Sequence, residues 1–280
     1  MTVDILICTL DEGILDVDKV LLPEKPNIKY IISWQQTKDF SDEFPQALKR
    51  DDVQIIPLEG KGLSRNRNNA IKYATSDICM IADDDVVYDY NGITAICDYY
   101  NEHPEVDVVT YKFSSNKNQK KHPDYSFDLR KTPKGYSISS IEISFRRAKV
   151  QGRISFNELM GLGSPYSGSG EDNLFILDCL NLNLKCQYIP INVLFHEHES
   201  TGRSQGGASK VVFSRGIMTR IFHPHSYMLK YLWLARSIKI NHQVGFWATL
   251  RQLFRGGRYA KKNGMLKYDI KEIYKKEYLQ

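Results

Sequence analysis

A chain of 280 residues, 42% hydrophobic and 25% charged, reads as one large globular domain or a domain with an extension, not as a disordered or fibrous chain. Its five cysteines (Cys8, Cys79, Cys97, Cys179, Cys186) are odd in number and scattered, which argues for buried thiols in a reduced cytoplasm and against a disulfide frame or zinc site. The formal charge of +5 conceals 22 Lys and Arg against 30 Asp and Glu in residues 1–199, and 16 against 3 in residues 200–280; a basic tail of this kind points to a polyanion, either nucleic acid or an anionic membrane face.

Met1-Thr2-Val3-Asp4 leads directly into an apolar run at 3–8, a start that does not read as a signal peptide. No apolar stretch reaches the 18 residues of a bilayer span. Further strand-like runs follow at 28–33, 53–56, 78–82, 106–113, 138–145 and 186–195, with helix-like segments at 64–75, 92–101 and 171–182. This alternation implies an α/β sheet, mostly parallel in its first half and mixed beyond it. Polar residues 114–137 read as a surface excursion or lid. The Gly-rich stretch 201–210 has the flexibility of a closing loop. From 211 onward the pattern is helical, with Pro224 and Gly245 as breaks. The expected organisation is a domain over 1–210 and a basic helical extension over 211–280.

Chemistry concentrates at four places. In Gly62-Leu63-Ser64-Arg65-Asn66-Arg67, Ser64 suits an N-cap, which sets Arg65 and Arg67 in a first turn where the helix dipole disfavours cations. Such arginines make an anion site suited to a diphosphate, or else are solvated or paired with nearby acids. Asp83-Asp84-Asp85 ends the run Ile78-Cys79-Met80-Ile81-Ala82. Adjacent carboxylates raise one another's pKa unless solvated or paired with cation, so the triplet is either an acidic turn or a site for Mg2+ or Mn2+. An extended backbone would put Asp83 and Asp85 on one side and Asp84 on the other. Glu171-Asp172 opens a helix after a mobile Gly/Ser-rich approach, as a capping arrangement or as a general base. His196 and His198, two apart after an apolar run, are metal ligands or a loop end; imidazole would favour Mn2+. In the tail, Phe246, Trp247, Leu250, Leu253 and Phe254 share a helical face flanked by Arg251, Arg255 and Arg258. That helix suits a membrane surface or packing on the catalytic domain, and no motif supports nucleic-acid recognition.

Taken together, VDILICTL, GLSRNRNNAI, DICMIADDDV and GEDNLF, in that order over roughly the first 200 residues, resemble the GT-A-fold glycosyltransferases, and among them the inverting family-2 group of bacterial surface-polysaccharide pathways. The resemblance implies an α/β, Rossmann-like three-layer sandwich with a mixed central sheet and a C-terminal helical extension. It implies a nucleotide sugar donor, normally a UDP-sugar, a saccharide or lipid-linked saccharide acceptor, and Mn2+ or Mg2+. Carried over by position, Asp172 is the catalytic base with Glu171 as the fallback, and Asp85 the metal ligand with His196 and His198 beside it. Thr9, Leu10, Ser33, Arg67, Asp83 and Asp84 would line the nucleotide sugar. The first strand ends Cys8-Thr9-Leu10-Asp11, not Pro-Thr-Tyr-Asn, and the second ends Ser33-Trp34-Gln35-Gln36 without the family's base-reading Asp. The expected location is cytoplasmic, peripheral at the inner membrane face through residues 211–280. A sugar nucleotidyltransferase and a catalytically silent scaffold subunit are the rival readings; the absence of a Gly-rich phosphate loop after the first strand speaks against the first, the intact acids against the second.

Overall fold

The computed structural model describes residues 1–38, 43–116, 120–196 and 207–274. The chain forms two compact units, the first Met1–Asn157 with Asp172–His198, the second Glu158–Glu171 with Glu199–Gln280.

The first unit is built on a mixed sheet. Among the described residues its strands are β1 (Val3–Leu10), β2 (Ile28–Gln36), β3 (Val53–Glu59), β4 (Ile78–Asp83), β5 (Val86–Tyr88), β6 (Val108–Ser114), β7 (Phe127–Asp128), β8 (Ile143–Arg146) and β9 (Cys186–His196). Their order is β3-β2-β1-β4-β8-β6-β9-β5, with β7 also on β9. β3, β2, β1 and β4 run parallel; β8 is antiparallel to both β4 and β6. β1 and β4 are buried along nearly their whole length, which is why they read as continuous apolar runs and not as alternations.

Helices α1 (Leu63–Tyr73), α2 (Tyr90–Glu102), α3 (Arg147–Val150) and, from Asp172 onward, α4 (Glu171–Asn181) belong to this unit. Ile5, Ile7, Tyr30 and Ile32 share one core with Ile93 and Ile96 of α2. The other face of β2 belongs to α1, whose Asn69 donates to Ser33 Oγ at 2.8 Å. Helices on both faces make the three layers expected. Each fully buried aliphatic side chain in such a core contributes about 1.5–3 kcal/mol. The one carboxylate within β1, Asp4, is fully buried and accepts from Thr75 N–H at 2.5 Å, Ser76 N–H at 2.8 Å and Ser76 Oγ at 2.6 Å. It thereby closes the turn from α1 into β4.

The second unit holds α5 (Ser209–Phe222), α6 (Tyr227–His242), α7 (Phe246–Lys262) and α8 (Ile270–Ile273). Pro224 falls between α5 and α6, and Gly245 is the N-cap of α7. α5 and α7 cross with backbones in contact. A Cβ on Gly216 would stand 2.3 Å from the Leu253 carbonyl oxygen, and one on Gly256 2.1 Å from that of Phe213. Tyr231 of α6 donates to the Gly216 carbonyl at 2.7 Å, tying the third helix to the crossing.

Four local expectations are corrected. Gly62, at φ 135°, is the N-cap of α1 in place of Ser64; only glycine reaches that conformation without strain. The run 138–145 begins as a 3-10 turn at Ser140–Glu142, because Glu142 reaches back to the Ser139 N–H (2.6 Å) in a capping box, and local side-chain bonds there displace the ladder until Ile143. β4 ends at Asp83 and Asp84-Asp85 form a turn, so the alternation of an extended chain does not sort the triplet. Leu250 and Leu253 of α7 are buried in the second unit's own core with Phe246 and Phe254 packed on it, and of the large apolar residues of that helix Trp247 is the exposed one.

Candidate active site

The parallel half of the sheet brings the ends of β1 and β4 side by side, with Cys8 opposite Asp83 in register, and α1 crosses behind them. The first turns of α1 deliver Arg67, which is 1% exposed. Its guanidinium donates through Nη2 to Asp83 Oδ1 at 3.2 Å and to Ser140 Oγ at 2.5 Å, and through Nη1 to Asp172 Oδ1 at 3.1 Å. The Phe156 ring lies beneath it, 5.3 Å from centroid to cation. A rigid planar fork suits this arrangement of several acceptors. Arg65, two residues earlier, turns away and donates to the Glu59 carbonyl at 2.7 Å.

Arg67 therefore joins two acids 89 positions apart in sequence, one ending β4 and one in the first turn of α4. Asp83 and Asp172 remain partly open to solvent, at 33% and 18% of their side-chain surface. Each carboxylate oxygen that faces Arg67 is held in place as a hydrogen-bond acceptor.

Asp84 takes a different position. Its Oδ2 accepts from Thr9 Oγ1 at 2.6 Å, and burial pushes its pKa up to about 6, with Asp83 and Asp85 adding to the rise and the Thr9 bond opposing it. A Cβ on Gly13 would stand 2.5 Å from Thr9 Oγ1 and 2.6 Å from Asp84 Oδ2, so the absence of a side chain at residue 13 makes the contact possible. Thr9 is further fixed by Asn66, whose Nδ2 donates to the Thr9 carbonyl at 3.0 Å. Leu10 is exposed at the strand end, while Ser33 is fully buried under α1.

Beyond Leu10 the ends of β1 and β2 are laced together. Asp11, at φ 49°, accepts from Thr37 N–H and Thr37 Oγ1, both at 2.7 Å, and its carbonyl accepts from Trp34 Nε1 at 2.8 Å. The two Thr37 bonds hold the Asp11 pKa below the ordinary carboxylate value.

Asp85 faces His196, the last residue of β9, with Oδ2 and Nε2 3.2 Å apart. The β5–β9 pairing, which sets Val86 opposite His196, produces this approach. The Asp85 contact raises the His196 pKa above its ordinary value despite partial burial. Among the described residues, no three His, Cys, Asp or Glu side chains gather as a metal site. Two adjacent ligands of an octahedral Mg2+ at about 2.0–2.1 Å stand about 3 Å apart. The Asp85–His196 separation is compatible with such a pair. His198 lies outside the described residues, as do 201–206 of the loop read as a closing segment.

Glu171 is buried at 6% exposure and sits against the 161–170 loop, where a Cβ on Gly161 would come within 2.9 Å of its Cδ. The structure thus sets the two adjacent acids in different surroundings, Asp172 on Arg67 and Glu171 on that loop. Ser140, Phe156, Gly13 and Asp11 complete the site and were not singled out from sequence. Ser140 alone carried a usable signal, in the Ser139-x-x-Glu142 capping pattern.

Residues 17–157, half of the chain, match the family model described as Glycosyl transferase family 2; the match includes Arg67, Asp83–Asp85 and Ser140 and stops short of Asp172 and His196. No curated protein matches the sequence. Solved structures of S. aureus TarS share the fold. The crystal structure of TarS superposes with a TM-score of 0.55 at 16% identity, over 88% of this chain and 45% of that chain. TarS 1–349 in complex with UDP-GlcNAc gives 0.51 at 16% identity, over 97% and 77%. The same fragment in complex with UDP gives 0.53 at 14% identity, over 94% and 92%. This chain thus spans less than half the length of the first of these structures. By its family-model match, and with a fold shared with these structures, the chain belongs to glycosyl transferase family 2.

Proposed function

We propose that the protein transfers a sugar, with inversion, from a UDP-sugar to a hydroxyl of a saccharide acceptor, lipid-linked, in the assembly of a bacterial surface polysaccharide. The observation that supports this most is the Arg67 bridge between Asp83 and Asp172. It holds a carboxylate at the start of α4 in fixed relation to the acids that end β4. UDP and UDP-GlcNAc in the similar TarS structures favour a UDP-sugar donor.

In this reading Asp172 accepts the proton of the acceptor hydroxyl as its oxygen bonds to the anomeric carbon from the face opposite the diphosphate. The anomeric C–O bond breaks and its electron pair leaves on the diphosphate oxygen. Arg67 positions Asp172 and Asp83 together, and Ser140 and Phe156 fix Arg67. Asp83 receives the ribose and donor end; Thr9 and Leu10 border the base, with Asp84 anchoring Thr9. Asp85 and His196 are the residues that would hold Mn2+ or Mg2+, which when bound supplies positive charge for the leaving diphosphate. Neutral imidazole is the ligand form, so metal binding at His196 competes with the proton that Asp85 favours.

Asp172→Asn is expected to keep the thermal shift given by UDP-GlcNAc with Mn2+ and to lose about 100-fold or more of Mn2+-dependent UDP release from a panel of UDP-sugars. Unchanged turnover in that variant would remove Asp172 from the role of base. Pyrophosphate in place of UDP among the products would reassign the chain to nucleotidyl transfer.

A further inference from the structure

Among the described residues, the second unit leaves one helix face uncovered. α6 is apolar on both sides: Tyr231, Ala235 and Ile238 are buried inward, while Leu229, Trp233 and Ile240 are exposed at 72%, 66% and 67% on the opposite side. Spacings of four and seven residues stack these three in a single stripe. Met228 and Leu232, at 56% and 47%, widen it on one flank. Water-exposed apolar patches of this extent mark contact surfaces, since ordinary surfaces scatter such residues singly.

Charge identifies the partner. Lys230, Arg236 and Lys239 of the same helix are exposed, as are Arg251, Arg255 and Arg258 of α7. From residue 200 to residue 268 the chain has 13 Lys and Arg and no Asp or Glu. A second copy meeting this face through a two-fold axis would set these cations against their own equivalents with no local acid to pair them. A nucleic acid offers phosphates but no apolar layer for Leu229 and Ile240. An anionic lipid surface offers both, with headgroups attracting each nearby cation by about 1 kcal/mol and an interface in which Trp is favoured. No helix among the described residues is long and apolar enough to cross a membrane, so a 16-residue helix with this pattern lies in the plane of the interface.

We propose that the outer face of α6, centred on Leu229, Trp233 and Ile240, docks on an anionic membrane surface. The use of this contact rests on the lipid-linked acceptor of the proposed reaction; the exposure and charge of the face do not depend on it. The test is cosedimentation of the full chain with vesicles of phosphatidylcholine containing phosphatidylglycerol, and with phosphatidylcholine alone. The expected result is binding to the anionic vesicles that weakens as salt rises, and about tenfold or greater loss of that binding in the Leu229→Ser/Trp233→Ser/Ile240→Ser chain. In a Trp247→Phe background, where buried Trp34 is the other remaining tryptophan, total emission is expected to move to shorter wavelength on binding through Trp233, and a Trp233→Phe change in that background is expected to abolish the move. All three serine substitutions are at exposed sites, so an unchanged melting temperature and an unchanged UDP-GlcNAc thermal shift confirm folding. Equal vesicle binding by the triple variant, or equal binding to neutral and anionic vesicles, overturns the proposal. A dimer dispersed by the triple variant assigns the face to self-association instead. UDP release measured without vesicles separates these outcomes from a failure of the transfer reading.

Discussion

Arg67 is the residue on which the site turns. Its suspicious place near the start of a helix was visible in the sequence, and the pairing with nearby acids was one of the two explanations open for it. The structure shows that pairing, to Asp83 and Asp172. Nothing in sequence could choose the partners, because they come from the ends of different elements and meet only when β4 and α4 are in place. Arg67→Lys keeps the charge but cannot reach Asp83, Ser140 and Asp172 together. It is expected to lower UDP release about 100-fold, a loss comparable to removing one preorganised donor, with folding retained by melting temperature. Near-normal turnover would mean that charge alone suffices and that the fork geometry is immaterial. The aspartate triplet carries the opposite lesson. Its three members look alike in sequence, yet Asp83 meets Arg67, Asp84 meets Thr9 and Asp85 meets His196, because the chain turns immediately after Asp83.

Among elements, the long apolar strands were legible because burial on both faces leaves no other composition available to them. β5 and β7 were not: three and two residues carry no period to read, and both exist through pairing with β9. The helices of the second unit were legible as helices, but their packing was not. In sequence the apolar side of α7 suits either a membrane surface or packing; the structure packs it on α5 and α6, Trp247 excepted, and α6, which lacks a clean polar face, keeps a stripe of apolar residues in water. Glycine explains the close approach. Gly216→Ala adds a methyl group 2.3 Å from the Leu253 carbonyl oxygen, which must separate α5 from α7 and is expected to cost about 1–3 kcal/mol. Thermal denaturation measures it. Gly256→Ala acts on the same crossing, so the pair should be clearly less destabilising than the sum of the single changes; full additivity would show that the two contacts are independent.

Stability against pH belongs to the molecule as a whole, and one buried group outside the candidate site shapes it. The His122 side chain is 5% exposed, beside the fully buried Glu142 that Lys120 and Ser139 also contact. Burial, with Lys120 and Lys112 adding to it, lowers the His122 pKa to about 4. The unfolded chain takes up a proton near the ordinary value of about 6.5 that the folded chain refuses. Stability is therefore unaffected above about pH 6.5 and falls as pH drops from there towards 4, by up to ~3 kcal/mol from this group. His122→Gln should flatten that decline, seen as a smaller difference in melting temperature between pH 7 and pH 5. Burial raises the Glu142 pKa, against the pull of Lys120 and Ser139, and this works in the opposite sense. Glu142 lies 3.4 Å from His122, so the two titrate as a pair and the comparison reads what the histidine adds to it; an equal decline in the two chains would dismiss the histidine as its source.

By itself the sequence determined the α/β class, the mixed sheet, the helical tail, its cationic character and the order of the motifs that mark the family. These follow from local composition and spacing, which fix what a segment can bury and what charge it carries. Only the tertiary structure decided that one arginine binds two distant acids, that Glu171 and Asp172 have different surroundings, that Ser140 completes the arginine's shell, and that α6 is the helix with an uncovered apolar face. Each of these depends on contacts between residues tens of positions apart, set by strand register and helix crossing, and a linear pattern contains neither.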